Sequence, residues 1–204
     1  MFKKPIIVFE GIEGSGKTFH LNNIARYFKK KRISFIKIRE PGGNYNSEKI
    51  RKLILNKKSN FNPTTDLLLY LAARNENINI LIKKYFKKKV ILIDRFVDST
   101  IAYQHYGMGV NLNLIKNINK VILRGIKVDF TFLNYVSNKN MKKRLIKRKN
   151  LNRYDRFNMK FYQKVQLGYF KISKQNKTKY FLVNSNLSIN ENKKNILKKI
   201  NKLI

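Results

Sequence analysis

The 204-residue chain contains no cysteine, which excludes a disulfide framework and any thiolate-bound metal and fits a reducing compartment. Its two histidines, His20 and His105, lie far apart and match no metal-ligand spacing, so both read as ordinary residues. Long apolar runs are missing too. The run Ile6-Ile7-Val8-Phe9 behind two lysines imitates a leader, but a glutamate and a glycine-rich turn end it at once. No later window is apolar enough to cross a bilayer, so a cytoplasmic chain without a membrane partner is expected. Acids are scarce: 11 Asp and Glu stand against 46 Lys and Arg, for a formal net charge of +35.

That charge alone suggests a nucleic-acid or anionic-membrane partner. Lys, Asn and Ile nevertheless crowd every segment, as A/T-rich coding produces, and runs such as Lys29-Lys30-Lys31-Arg32 fall at expected helix ends, where cations suit the dipole and stay solvated. A charged solvent face with no specific nucleic-acid patch is the reading adopted, although the field draws in anionic nucleotides of any kind. With 43% hydrophobic residues the chain can bury a full core, and with no repeat and no Gly/Ser or Pro linker it reads as one domain over 1–204.

Short β-branched or aromatic runs alternate with amphipathic ones. Ile6 to Glu10, Ser34 to Ile38, Val90 to Asp94, Phe130 to Tyr135 and Tyr180 to Val183 read as strands, several apolar throughout as strands buried on both faces are. Lys17 to Lys31, Ser47 to Asn56, Thr65 to Phe86, Asn113 to Leu123, Asn138 to Lys149, Met159 to Lys174 and Ile189 to the C-terminus carry helical spacing. The alternation implies an α/β fold, a five-stranded parallel sheet with helices on both faces. Arg144 to Arg156, dense in cations and poor in apolar residues, has the profile of a surface flap.

Gly11-Ile12-Glu13-Gly14-Ser15-Gly16-Lys17-Thr18 satisfies the phosphate-loop pattern GxxxxGK[ST], with a strand before it and a helix after it. Such a loop turns backbone N–H groups around a β-phosphate, sends its lysine to the β and γ oxygens and offers the Thr18 hydroxyl to Mg2+. Glu13 is out of place there, since a second anion beside phosphate oxygens is repelled. Either it points away across the sheet's carboxyl edge to a second ligand, such as a sugar hydroxyl, or it caps the turn or pairs with a lysine. Arg39-Glu40-Pro41-Gly42-Gly43 and Asp94-Arg95-Phe96 follow the second and third strands, where ligands bind an open α/β sheet. Asp94 stands where a metal-ordering acid of a phosphate-loop protein is needed. Tyr70 and Arg74, four apart on one helix, form either a base-reading pair or a core edge plus a surface charge.

Together "FEGIEGSGKT", "REPGG", "YLAAR", "DRFVDSTIAYQ", "VDFTFL" and "NRYDRFNMKFYQKVQLGYF" resemble, in order, the thymidylate kinase family. The resemblance implies a P-loop NTPase-type, nucleoside monophosphate kinase architecture with a lid at about 144–156, transfer of the γ-phosphoryl of ATP to dTMP with Mg2+, and a homodimer. By motif position it implies that Glu13 lies near the acceptor's 3'-hydroxyl, Tyr70 stacks on thymine, Arg74 donates to its O4, and Gln104 and Thr100 read the base edge. Tyr103 would crowd C2' against a ribose hydroxyl. Arg51 and Arg95 would hold the 5'-phosphate, and Asp94 with Thr18 would serve Mg2+. Gly14 cannot supply the arginine that some relatives carry in the loop, so the lid must. Arg148 and Arg153 are the best placed by motif, with Arg144 and Arg156 behind them, as in the bacterial type.

Three positions depart from that pattern. Asn134 holds a place usually acidic after the fourth strand, and Asn152 replaces the acid before the lid arginine; both losses are expected to weaken lid ordering. His105 follows Gln104 where glycine is usual and is expected to narrow the acceptor pocket. The rival readings are a kinase for another nucleoside or nucleotide and a basic nucleic-acid-binding ATPase.

Overall fold

The computed structural model of the chain describes residues 4–148 and 151–204. Five strands, β1 (Ile6–Glu10), β2 (Phe35–Arg39), β3 (Val90–Asp94), β4 (Phe130–Tyr135) and β5 (Tyr180–Asn184), form one parallel sheet in the order β2-β3-β1-β4-β5. β1 lies at the centre and is buried along its whole length, which its unbroken apolar run requires. Around the sheet run α1 (Lys17–Lys30), α2 (Tyr45–Leu55), α3 (Pro63–Asn77), α4 (Lys83–Tyr85), α5 (Val97–Thr100), α6 (Leu112–Leu123), α7 (Asn138–Ile146), α8 (Met159–Gln175) and α9 (Ile189–Ile200). Ile6 and Val8 of β1 pack with Leu67 and Leu71 of α3 and Ile115 of α6. The alternate residues Ile7 and Phe9 pack on the other face with Leu21, Ile24 and Phe28 of α1 and Ile196 of α9. Among the described residues no helix is long and apolar enough to cross a membrane.

Asparagine, abundant in this chain, closes helix N-termini. Asn44, Asn62, Asn111 and Asn158 each accept from a backbone N–H in the first turn of α2, α3, α6 and α8, and Ser137 and Ser188 do the same for α7 and α9. α1 has no such side-chain cap. It follows Gly16, whose φ of 83° only glycine adopts at little cost, and its first N–H groups are left for an external anion.

Every expected strand is present to within a residue. The expected helix Thr65 to Phe86 is present as one continuous helical run in which α3 ends at Asn77, a π-helical turn spans Ile78–Ile82, and α4 follows. Lys149, the expected end of the helix from Asn138, lies outside the described residues, as does Asn150 of the lid. One helical segment was not expected at all, α5 with its π-helical continuation Ile101–Gly107. Its buried residues include Ser99, Thr100, Tyr103 and Gln104, so it carries little apolar periodicity to read.

This segment packs closely on α8. A methyl group at Gly168 would sit 2.5 Å from Cδ2 and 2.8 Å from Cβ of Tyr106, so the ring cannot simply swing aside. Ala at a helix interior is favoured over Gly by about 1 kcal/mol, whereas overpacking costs about 1–3 kcal/mol. Gly168→Ala is therefore expected to destabilise the fold by about 1 kcal/mol net, read as a lower urea midpoint at unchanged slope.

Candidate active site

One cleft of about 460 Å³ opens over the carboxyl edge of the sheet. On one side it is lined by Glu13, Gly14, Gly16, Lys17 and Thr18 of the phosphate loop, while Gly11, Ile12 and Ser15 are buried and do not line it. Gly11 is fixed by crowding, since a Cβ there would fall 2.1 Å from the Asn134 carbonyl oxygen. Lys17 is buried, and its Nζ donates to the Ile12 carbonyl at 3.4 Å. Burial first, then the positive charge of Arg95, lowers its pKa to about 8, against the pull of Asp94, Glu13 and Glu10.

Glu13 turns away from the loop's anion cradle and across the sheet edge. Its Oε1 accepts from Arg95 Nη2 at 2.8 Å, and its Oε2 accepts a short hydrogen bond from the Tyr103 hydroxyl. Burial raises the carboxyl, but Arg95, then Lys17 and the Tyr103 bond, outweigh it and hold the pKa below the ordinary value. Both partners are largely buried, at 15% and 11% side-chain exposure, so removing either leaves an uncompensated charge at a cost of about 3–5 kcal/mol. Arg95 holds a φ of 66°, unusual for a residue with a side chain and costing about 1 kcal/mol or more. In exchange its guanidinium reaches Glu13, Tyr103, Ser99 and the Tyr169 hydroxyl.

The other side of the cleft is lined by Arg51, Tyr70, Tyr103 and Gln104. Arg51 is drawn in by a 2.6 Å bond from its Nη1 to the Pro41 carbonyl. Tyr103 and Gln104, adjacent in sequence, both reach the cleft from the π-helical turn, whose wider winding brings neighbouring residues closer to one face. Arg74 and Thr100, expected beside them, do not line it. The Arg74 guanidinium is 1% exposed and spent on Glu40 (2.8 Å), Asn119 (2.8 Å) and Thr100 (3.0 Å), because a charge so deep must be paired within the protein. His105 does not narrow the pocket: its Nδ1 meets the Val110 carbonyl oxygen at 2.8 Å and it does not line the cleft.

The lid departs most from expectation. Arg148 lines the cleft and pairs with Asp155 at 2.7 Å, but Arg153 does not line it. The Arg153 guanidinium makes a short ion pair with the buried Asp66 of α3 and packs over Phe61 and Tyr154. Arg144, ranked lower on motif, lines the cleft beside the loop and donates to the carbonyls of Gly14 and Ser185, each at 2.7 Å. Arg156 reaches the Lys57 carbonyl outside the cleft. Nor is the segment wholly a surface flap, because Tyr154 is 3% exposed and anchors it. Asn152 orders the lid turn rather than weakening it: its side chain caps Arg153–Arg156 while Asp155 bonds back to the Asn152 N–H. Asn134 lies within β4, buried, and both side-chain polar atoms lack a partner among the described residues.

Thr18 and Asp94 meet at the tip of β3, where the Thr18 hydroxyl donates to Asp94 Oδ2 at 2.5 Å. Asp94 Oδ1 is buried without a partner among the described residues. A hydroxyl and a spare carboxylate oxygen beside a phosphate loop suit a hard cation such as Mg2+, which takes few protein ligands and completes its shell with phosphates and water. Sequence reasoning missed three residues here. Glu10 accepts from the N–H groups of Phe96 and Ser99 and from the Ser99 and Tyr169 hydroxyls, and so fixes the start of α5. A carboxylate ending a wholly apolar strand was a usable signal for it. Asp66 sits in unremarkable helical sequence and gave none, and Tyr169 falls in a stretch that carries the resemblance without being singled out.

The thymidylate kinase family model matches residues 9–196. A thymidylate kinase of Mesoplasma florum is 38% identical, with 95% of this chain and 95% of that protein covered. One of Prochlorococcus marinus is 37% identical over 96% of this chain and 98% of its own length. The crystal structure of a thymidylate kinase from Ehrlichia chaffeensis superposes with a TM-score of 0.79 at 30% identity, over 97% of this chain and 98% of that one.

A lysine with a pKa of about 8 is mostly neutral at pH 8.5, and anionic phosphates beside it favour the charged form. Binding of a nucleoside triphosphate at pH 8.5 is therefore expected to take up a fraction of a proton, seen as a calorimetric enthalpy that varies with the buffer's ionisation enthalpy. Lys17→Arg, which stays charged throughout, is expected to abolish that uptake.

Proposed function

The chain belongs to the thymidylate kinase family, and from that premise we propose that it transfers the γ-phosphoryl group of ATP to dTMP, giving dTDP and ADP. One observation carries the reading: a single cleft is lined by Lys17 and Thr18 of the phosphate loop and also by Arg51, Tyr70, Tyr103 and Gln104. Two nucleotides can enter it from opposite sides and meet at their phosphates. An acceptor phosphate oxygen attacks the γ-phosphorus in line, the bond to the β–γ bridging oxygen breaks, and ADP leaves with the electron pair. No covalent intermediate forms on the protein, whose part is alignment and charge neutralisation.

In this reading the N–H groups from Gly11 to Thr18 cradle the donor phosphates and Lys17 meets the β and γ oxygens. Arg51 and Arg95 hold the acceptor phosphate, Tyr70 stacks on the base, Gln104 reads its edge, and Tyr103 closes the space a ribose hydroxyl needs. Arg74 and Thr100 support that wall from behind through their mutual bond at 3.0 Å. Thr18 and Asp94 would hold Mg2+, which would supply charge neutralisation for the donor phosphates. Of the lid arginines, Arg144 and Arg148 line the cleft and face the donor phosphates in this reading. The reading takes residues 1–204 as one domain with a lid at about 144–156, acting in the cytoplasm as a pair of copies. Pairing is supported by exposed Leu68 on α3 and exposed Leu114 and Val121 on the adjoining α6; Leu67 and Leu71 belong to the core.

A coupled assay across dTMP, dUMP, UMP, dCMP and thymidine tests the reading. dTMP is expected to give the highest kcat/KM and UMP little turnover, and a preference for thymidine or UMP contradicts it. Within the lid, Arg148→Ala is expected to lower kcat by roughly a hundredfold with ATP affinity little changed. Arg153→Ala should lower it by less than about tenfold, because that side chain is engaged with Asp66.

A further inference from the structure

We propose that Asp66 sets the base preference of the cleft by dictating which end of the Gln104 amide the acceptor base meets. The inference rests on the nucleotide-kinase reading above and adds to it a residue that does not line the cleft. Asp66 is 1% exposed, on the first turn of α3. Its Oδ2 lies 3.0 Å from Gln104 Nε2 and accepts a short bond from the Tyr154 hydroxyl, while its Oδ1 takes Arg153. Every one of these bonds runs toward the carboxylate, as ionised Asp requires, since it can only accept.

The orientation of the Gln104 amide follows from that chemistry. An amide oxygen facing a buried carboxylate would set two acceptors against each other, so the nitrogen must face Asp66. The Tyr154 oxygen, 3.3 Å from the same nitrogen, is itself bonded to Asp66 Oδ2, so both acceptors lie on one side of the nitrogen and share one amide hydrogen. Gln104 Oε1 has no donor among the described residues, and Gln104, 1% exposed, lines the cleft. The base therefore meets a fixed carbonyl acceptor. Thymine and uracil answer it with their N3–H; cytosine offers a lone pair at the same ring position and leaves two buried acceptors opposed.

Asp66→Asn tests this with almost no change of shape. The new side-chain N–H can donate to Gln104 Oε1, so the amide can turn and show its nitrogen to the cleft. The dTMP to dCMP ratio of kcat/KM is expected to fall by about tenfold or more, mainly through KM, while the dTMP to dUMP ratio stays as it was. In a Gln104→Leu background the Asp66→Asn effect on the first ratio should vanish. Equal losses for all three nucleotides would mean that Asp66 only anchors the lid, and a ratio change that persists without Gln104 would mean that it acts by another route; either overturns the proposal. If Asp66→Asn alone does not fold, Asp66→Asn combined with Arg153→Gln, which leaves no buried charge unpaired, must move the same ratio in the same direction, and no movement overturns the proposal. Wild-type chain that phosphorylates none of the three overturns the kinase reading and this inference with it; wild-type turnover with an unmoved ratio overturns the role of Asp66 alone.

Discussion

The ion pair between Arg95 and Glu13 is the constraint on which the cleft depends. Each charge is too deeply placed to be left to water, so each needs the other, and together they tie the phosphate loop to the segment after β3. Arg95 gives up an ordinary backbone conformation to reach that position. Glu10, buried below, secures the same segment through the N–H groups of Phe96 and Ser99, and Tyr169 joins both groups by its hydroxyl. Tyr103 is held in place by Glu13 and by ring contacts with Tyr154, Phe161 and Tyr169. The donor and acceptor halves are thus one hydrogen-bonded body, as a transfer between two nucleotides requires.

The chain's composition looks different once the acids are located. Glu10, Glu13, Glu40, Asp66, Asp94 and Asp155 all serve the cleft or the elements framing it, out of only 11 acids in the chain. The cations outnumber them by enough to remain solvated over most of the surface, so the +35 charge describes the exterior and the few carboxylates describe the site. Asparagine does a similar service for the helices, closing four N-termini while that of α1 has no side-chain cap.

How much of this was legible in the sequence follows from which forces leave a local trace. β1 and β3 are buried on both faces and announce themselves by continuous apolar runs, and the phosphate loop is written in glycines whose spacing its geometry demands. Glu13 was readable as an anomaly, though not its partner, because Arg95 lies 82 residues away. The segment from Val97 to Gly107 was opaque as a helix, since its inward face is polar and is satisfied largely by groups distant in sequence such as Glu10 and Arg74. The pairing of Arg74 and Arg153 inside the protein was unreadable for the same reason. A motif fixes where a cation stands along the chain, but the acid that captures it, Glu40 or Asp66, comes from another element.

The central claim is that a single cleft holds donor and acceptor end to end across the Arg95–Glu13 pair. A compound joining adenosine to thymidine through five phosphates spans both halves, and its binding by calorimetry in the presence of either nucleotide measures the claim most directly. One molecule should bind per chain and be displaced by ATP alone and by dTMP alone. Displacement by only one of them, or binding of two molecules per chain, would contradict it.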